Sequence, residues 1–454
     1  MDMLVTLLAG QAMASMDGEI LVIAAPSLRA DLHASAAQLQ LIVAVYALAF
    51  GALVVLGARL GDVLGYRRAY MLGVAAFTLA SLAGGLAPSA TILICAVALQ
   101  GAAAAVMSPQ VLSIIQLHFQ GDARERAIGA YSMVLAAGVA AGLVLGGLLI
   151  TADLLGAVWR PALLLNVPLG AIVLLAARSH LPRVAGEAQA QLDPAAATTL
   201  SVALLALIVP LTLGRDAGWP IWVWPFFAFC ATALVVFVRL ERQIAARGRH
   251  PLLDLHILTV PGVAPGIVAV ALVMACYAGF LFSLTLHLQG GLGYSPLAAG
   301  LIFATYASGF GTASLTWTRF PRAAADRLPI AGPLVLAATL FVVGRVAAGG
   351  AWPVVPAILL LFLAGAAHAC AFSPLTARLT EIVRREQAAD LSGLILTASL
   401  IGQVIGVAGF GGVYFSAGSH GSAHAFAVTT MALGGTLMGV AVCAYLAQKA
   451  PHST

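Results

Sequence analysis

The sequence predicts an all-α integral membrane fold: two six-helix bundles plus two inserted transmembrane helices, fourteen spans in all. Three observations predict it. Of 454 residues, 61% are hydrophobic and only 9% are charged, with a mean hydropathy of +1.02, against roughly 25% charged residues in an ordinary soluble domain. Apolar runs near the ~20 residues that a helix needs to cross a bilayer core recur between short polar breaks along the whole chain. The basic residues, finally, fall almost entirely on alternate breaks.

The predicted spans are 4–26, 39–58, 69–87, 90–114, 127–151, 160–178, 198–214, 219–239, 261–286, 296–317, 328–348, 353–375, 391–415 and 425–447. With the N-terminus in the cytoplasm, only Arg29, Arg160, Arg215 and Arg345 of the 22 basic residues lie outside, as the positive-inside rule requires. An even number of spans then returns the C-terminus to the cytoplasm. Trp159, Trp219, Trp222, Trp224, Trp317 and Trp352 all sit near span ends, where an amphipathic ring meets the headgroups. The first apolar stretch is as long as a span and more follow, so no cleavable signal peptide is expected.

The longest polar breaks, about 179–197 and 240–260, bracket spans seven and eight. They divide the chain into an N-terminal six-helix bundle (1–183), two inserted helices with their linkers (184–250) and a C-terminal six-helix bundle (251–454). Secondary transporters are often built from two helical halves with a substrate site at the midplane. Unrelated multispan folds remain open on topology alone.

Composition also excludes several classes of function. Cys95, Cys230, Cys276, Cys370 and Cys443 each lie in an apolar run, which reads as packing and not as a disulfide framework. The net charge of +5 is explained by membrane orientation, and no basic patch interleaved with aromatics suggests nucleic acid. A phosphate-binding loop needs a lysine, and the only one is Lys449, so an ATP-driven pump is not expected. No GxSxG turn, HExxH helix or paired-cysteine metal site is present, and no enzyme is expected.

Inside the spans the acidic residues are Asp17 and Glu19. A carboxyl group at membrane depth is expensive and is a functional candidate by default. Asp17 lies about 20 Å along the first helix, in the outer half of the bilayer. At 100° per residue the two side chains point about 200° apart and cannot readily share a face. Other polar groups within spans are candidates for a substrate cavity: Gln40, Tyr46, Gln100, Gln110, Tyr131, Asn166, Tyr277 and Tyr306. Each could equally serve packing or bridge helices. His368 could titrate or be a satisfied core residue.

Span five, GAYSMVLAAGVAAGLVLGG, carries Gly129, Gly138, Gly142, Gly146 and Gly147. This register resembles the antiporter motif of the major facilitator superfamily, although tight packing alone would also favour small residues. Leu143 stands where the family has proline. Further segments resemble the fourteen-span drug:proton antiporter branch: Asp17, Ala24 and Pro26 in span one; Trp159, Arg160, Asn166, Val167, Pro168 and Gly170 around span six; and Leu288, Gln289, Gly293, Tyr294, Ser295, Pro296 and Gly300 before span ten. The loop after span two is similar to the family's cytoplasmic gate through Arg59, Leu60, Asp62, Gly65, Arg67 and Arg68, and departs from it at Ala58 and Val63. Span four keeps Gln100, Gly101 and Pro109, but Val97 replaces an arginine.

The resemblance implies a secondary transporter that exports a small amphipathic compound in exchange for protons, with Asp17 as the coupling group and Glu19 a second candidate. Hydrocarbon favours a neutral acid and a bound cation favours a carboxylate, so proton and cargo would compete. The expected partners are the small-molecule substrate and the lipid bilayer. The proton is the coupling ion, no cofactor is required, and the chain is expected to act as a monomer. Few lysines and abundant Ala, Gly and Arg suggest a GC-rich bacterial genome and hence a plasma (inner) membrane. A proton-independent facilitator, favoured by Val97 and Leu143, and a non-transporting sensor or scaffold are the alternatives.

Overall fold

The computed structural model describes residues 2–182, 196, 198–200, 202, 203, 206, 207, 210, 220–246, 255–348, 353–383 and 388–449. Among the described residues there is no β-strand. Hydrocarbon offers no partner for backbone N–H and C=O groups, so each segment must satisfy its own, and only a helix does that locally. The helices, in chain order, are α1 (Asp2–Leu32), α2 (Ala36–Leu64), α3 (Tyr66–Gly85), α4 (Ala90–His118), α5 (Gly121–Ala152), α6 (Arg160–Leu164) and α7 (Asn166–His180). They continue as α8 (Val223–Ala246), α9 (Val263–Thr285), α10 (Pro296–Thr316), α11 (Arg322–Ala325), α12 (Leu328–Ala348), α13 (Val354–Ile382), α14 (Ala388–Ala417) and α15 (Ser422–Lys449).

Eleven helical stretches among the described residues are long and apolar enough to cross a membrane, against the fourteen spans predicted. α3 and α10 have 20 and 21 residues, about 30 Å at 1.5 Å per residue, but both are diluted by polar groups. α3 opens on Arg67 and Arg68, and α10 carries Thr305, Ser308, Thr312, Ser314 and Thr316. The predicted span 198–214 lies mostly outside the described residues. A helical, many-span membrane protein is therefore established, and the count of fourteen is not.

The chain folds as two compact units, Met1–Leu205 with Ser295–Gly300 and Ala206–Tyr294 with Leu301–Thr454. In the first, α1 packs on α5, α2 on α4, and α3 on both α4 and α7. Leu7, Met13, Tyr70, Phe77, Met107 and Ile115 lie in its core. The Tyr70 hydroxyl is buried there and donates to the Thr6 carbonyl at 2.7 Å. Close approach of α2 and α4 depends on Gly101, where a Cβ would overlap the Tyr46 carbonyl. In the second unit, α9 packs on α14 and α15, and α12 on α13 and α15.

Helix ends follow local chemistry. Ser35 caps α2: its Oγ accepts from the Gln38 N–H at 3.1 Å, while the Gln38 side chain accepts from the Ser35 N–H at 3.0 Å, a reciprocal box that satisfies two exposed donors. A single residue, Gly65, joins α2 to α3 with φ 85° and ψ 136°. That region is open to glycine and strained for any L side chain. The outer faces remain apolar: Leu72 and Leu79 on α3, Leu99 on α4, Leu175 on α7, Phe229 on α8 and Leu359 on α13 are exposed. A surface of this kind suits lipid and not water.

Replacing Gly65 with Ala is expected to destabilise the protein by about 1–3 kcal/mol, read as a lowered unfolding midpoint in detergent. Gly129, which is exposed within α5 with open space around it, should tolerate the same change or gain about 0.5–1 kcal/mol from it. Equal stability for the parent and Gly65→Ala would show that the α2–α3 joint is not strained.

Candidate functional site

Asp17 sits midway along α1 and is completely buried. Two amide side chains from other helices converge on one of its oxygens: Asn166 Nδ2 donates to Oδ1 at 2.6 Å and Gln100 Nε2 donates to the same Oδ1 at 3.1 Å. Gln100 also donates to Ser81 Oγ at 2.9 Å, and Ser81 donates in turn to the Phe77 carbonyl at 2.8 Å. One acid on α1 is thus tied to α3, α4 and α7. Val97, where the antiporter pattern has arginine, is fully buried one turn before Gln100. Among the described residues no basic side chain bonds to Asp17, and Asp17 Oδ2, Gln100 Oε1 and Asn166 Oδ1 are buried without a hydrogen-bond partner.

Asn166 lies two residues before a proline. Pro168 has no N–H to return to the Leu164 carbonyl, so the hydrogen-bond ladder is interrupted there, while the backbone stays helical through Leu165 and Asn166 opens α7. The amide arrangement accommodates both forms of the acid. Oδ1 accepts two N–H groups whether it is part of a carboxylate or the carbonyl of a neutral acid, and Oδ2 is the atom left to take a proton.

Glu19 points elsewhere. Its Cβ lies against Gly142 of α5, a helix that Asp17 does not use. Gly138 and Gly146 continue this stripe, facing Ser15 and the pair Ile20 and Ile23; a Cβ at Gly142 would overlap the Met16 backbone carbonyl. The small residues therefore seat α1 on α5 through the turns that carry both acids. Gly147 is buried, whereas Gly129 is exposed, with nothing within 4 Å of where a Cβ would stand, and takes no part in this packing. Leu143 is buried, and α5 runs as one helix through it.

The remaining candidates are dispersed. Gln40 is buried, with its Nε2 unbonded. The Tyr46 hydroxyl donates to the Ala14 carbonyl at 2.8 Å, linking α2 to α1 less than one turn from Asp17. Gln110 lies about 15 Å along α4 from Gln100 and donates to the Gly57 carbonyl at 2.7 Å, a tie between α4 and α2. Tyr131 is half-buried at the edge of the first unit's core. Tyr277 and Tyr306 belong to the second unit and stack at 6.2 Å between ring centroids. The segment read as a loop after span two is helical on both sides of Gly65, so Arg59 lies in α2 and Arg67 and Arg68 in α3. Arg67 Nη2 donates to the Arg178 carbonyl at 2.6 Å, Arg59 is half-buried and Arg68 is exposed. The Asp62 side chain lies outside what is described.

Comparison with known proteins places this bundle. The family model described as Major Facilitator Superfamily matches residues 7–407. The chain belongs to the major facilitator superfamily. It is similar to the probable actinorhodin transporter of Streptomyces coelicolor, 31% identical over 415 residues that cover 90% of this chain and 71% of that one. It is also similar to the cephamycin export protein CmcT of Amycolatopsis lactamdurans, 38% identical over 295 residues, 64% of this chain and 59% of the relative. The crystal structure of the peptide transporter POT in complex with sulfate superposes with a TM-score of 0.71 at 17% identity, covering 98% of this chain and 93% of that one, a likeness of fold.

Three contacts in this superfamily member were not foreseen. Ser81, one of few polar residues in α3, joins the Asp17 network; a serine amid apolar neighbours was the available signal. At the end of α1, Asp31 Oδ2 accepts from Trp159 Nε1 at 2.9 Å and Arg160 Nη1 at 2.8 Å. Arg160 Nη2 also donates to the Ala87 carbonyl at 3.4 Å, so the tryptophan and arginine of the span-six motif fasten α1 beside α6. In the second unit, His287 lies in a π-helical turn, Leu286–Gly291, and its buried ring stacks on Phe426 at 4.9 Å. Such turns break helical periodicity and leave no mark in an apolar pattern.

Because Asn166 and Gln100 bond the same oxygen, their energetic weight should depend on Asp17. Asn166→Leu is expected to cost about 1–3 kcal/mol in the parent, and less in an Asp17→Leu background, with a coupling of about 0.5–3 kcal/mol. Equilibrium unfolding in mixed micelles measures both. Identical costs in the two backgrounds would mean that Asn166 does not act on the acid.

Proposed function

We propose that the chain is an efflux transporter that moves a small amphipathic natural product or drug out of a bacterial cell in exchange for protons, with Asp17 as the proton-carrying group. What supports this most is the chemistry around that residue: a wholly buried acid held by two neutral amides, with no basic partner bonded to it among the described residues. A permanent ion pair would fix its charge, whereas amide donors accept either form. On this reading a proton binds Asp17 from the outer side as cargo leaves, and its release to the inner side restores the anion for the next load. Each charge carried inward across 100 mV gains about 2.3 kcal/mol, enough for roughly a fifty-fold gradient of cargo.

The names of the relatives, one a probable transporter of actinorhodin and one an exporter of cephamycin, support a natural product as cargo. The same reading takes the chain as fourteen spans arranged six, two and six, with both termini in the cytoplasm, inserted in the inner membrane and working as a monomer. Glu19 then serves the α1–α5 seam, and Gln40 and Tyr46 border the path to Asp17. Arg59, Asp62, Gly65, Arg67 and Arg68 close the cytoplasmic side.

A facilitator without coupling is the second reading, favoured by the buried Val97 in place of an arginine. Transport into inside-out vesicles or proteoliposomes under an imposed pH gradient separates the two. Asp17→Asn is expected to abolish uphill movement of cargo while leaving downhill exchange and binding within about threefold of the parent, since an amide can still accept from Asn166 and Gln100. Uphill transport by Asp17→Asn equal to that of the parent would remove proton coupling through this acid. Parent transport indifferent to the gradient would establish the facilitator.

A further inference from the structure

Within the second unit, His368 on α13 is 2% exposed and surrounded by aromatic rings. The ring centroids of Phe310, Tyr277 and Tyr306 lie 4.9, 5.3 and 6.0 Å from it. Two glycines bring α10 and α13 near enough for this: a Cβ on Gly309 would overlap the Phe362 carbonyl, and one on Gly365 the Tyr306 carbonyl. The Tyr306 hydroxyl and His368 Nδ1 share a hydrogen bond of 2.9 Å. That bond fixes the imidazole, and its other nitrogen, Nε2, is buried with no hydrogen-bond partner. A polar atom held in place among flat apolar faces, and left unsatisfied, is what a ligand site of few polar contacts looks like. Tyr277 and Phe310 are only half-buried and form the open edge of the cluster.

We propose that His368, with Tyr277, Tyr306 and Phe310, binds a planar aromatic compound bearing a ring-attached oxygen, a quinone or a phenol, with Nε2 as its single directional contact. Both oxygen types are served by one imidazole. When Tyr306 donates to Nδ1, Nε2 carries the hydrogen and donates to a quinone carbonyl. When Nδ1 donates to Tyr306, Nε2 accepts from a phenol. The flat faces of Tyr277 and Phe310 supply offset or edge contacts to the ligand ring. This rests on the transport reading only in naming the ligand as cargo; the site itself is a statement about binding.

The test is equilibrium binding of 1,8-dihydroxyanthraquinone to the purified full chain in detergent, with no gradient, followed by its visible absorbance. His368→Phe keeps an aromatic ring and removes Nε2, and should weaken binding about tenfold. His368→Gln, whose amide reaches the position of Nε2, should recover part of that loss. Should His368→Phe fail to fold, Tyr306→Phe keeps the ring, frees the imidazole and should still weaken binding. A folded His368→Phe or Tyr306→Phe protein that binds within about twofold of the parent overturns the site. Cargo efflux by the parent is measured separately in proteoliposomes. Binding lost with His368→Phe but no efflux by the parent would leave the site standing and remove the transport reading, and efflux with unchanged binding would do the reverse.

Discussion

Two amide N–H groups converging on one oxygen of Asp17, with no cation bonded to that acid among the described residues, set the terms for the whole first unit. Inserting an aspartate at the centre of a membrane helix costs about 2.5–3.5 kcal/mol on insertion scales. A hydrogen bond to a charged group returns about 1.5–3 kcal/mol, so two of them are of the same size as that cost. The amides thus offset much of what placing the acid at this depth costs. An arginine at position 97 would tilt the balance firmly to the anion. Val97 leaves it to the amides, which bond either form.

Such a balance requires positional control, and the backbone supplies it. Asn166 reaches the acid from the start of α7, within the helical stretch Arg160–His180 that packs beside α1. Gln100 reaches it because Gly101 lets α4 lie against α2, and Ser81 holds the amide of Gln100 from behind. On the opposite side of α1, Gly138, Gly142 and Gly146 seat the helix on α5. The antiporter stripe of α5 and the amides that bond the acid therefore meet different faces of α1. A side chain added to the stripe would push α1 toward α4 and α7 and change the distances that the amides depend on.

Much of the helical architecture was legible because hydropathy and the distribution of arginine act over whole segments, and local error averages out. The predicted spans 69–87 and 296–317 fall on α3 and α10, which are helices but carry enough polar residues to be left out of the eleven. Gln100 and Asn166 could be picked out as polar groups in apolar runs, but so could Gln110 and Tyr46, which bond the Gly57 and Ala14 carbonyls instead. Sequence shows that a polar side chain needs a partner; it does not show whether a carbonyl across the helix interface is nearer than another side chain. Asp31 with Trp159 and Arg160, 128 and 129 residues apart, illustrates the limit. Each residue was visible, and their meeting depends on how α1 and α6 are brought side by side.

The second unit handles polarity differently. Its buried hydroxyls mostly bond back to their own helices: Ser283 to the Gly279 carbonyl, Thr285 to Leu281, Thr339 to Val335 and Thr429 to Ala425. A hydroxyl whose hydrogen is spent one turn away can only accept from another helix or a ligand, as Ser81 does from Gln100 in the first unit. Tyr306 and His368 are the contrasting case, since their side chains bond each other across helices. An imidazole carries two nitrogens on opposite flanks of a rigid ring, so one bond fixes it and leaves the second atom aimed but unused. The structural bond of Tyr306 is thus what makes the free nitrogen of His368 directional, and a mobile histidine in the same place would offer no such selectivity.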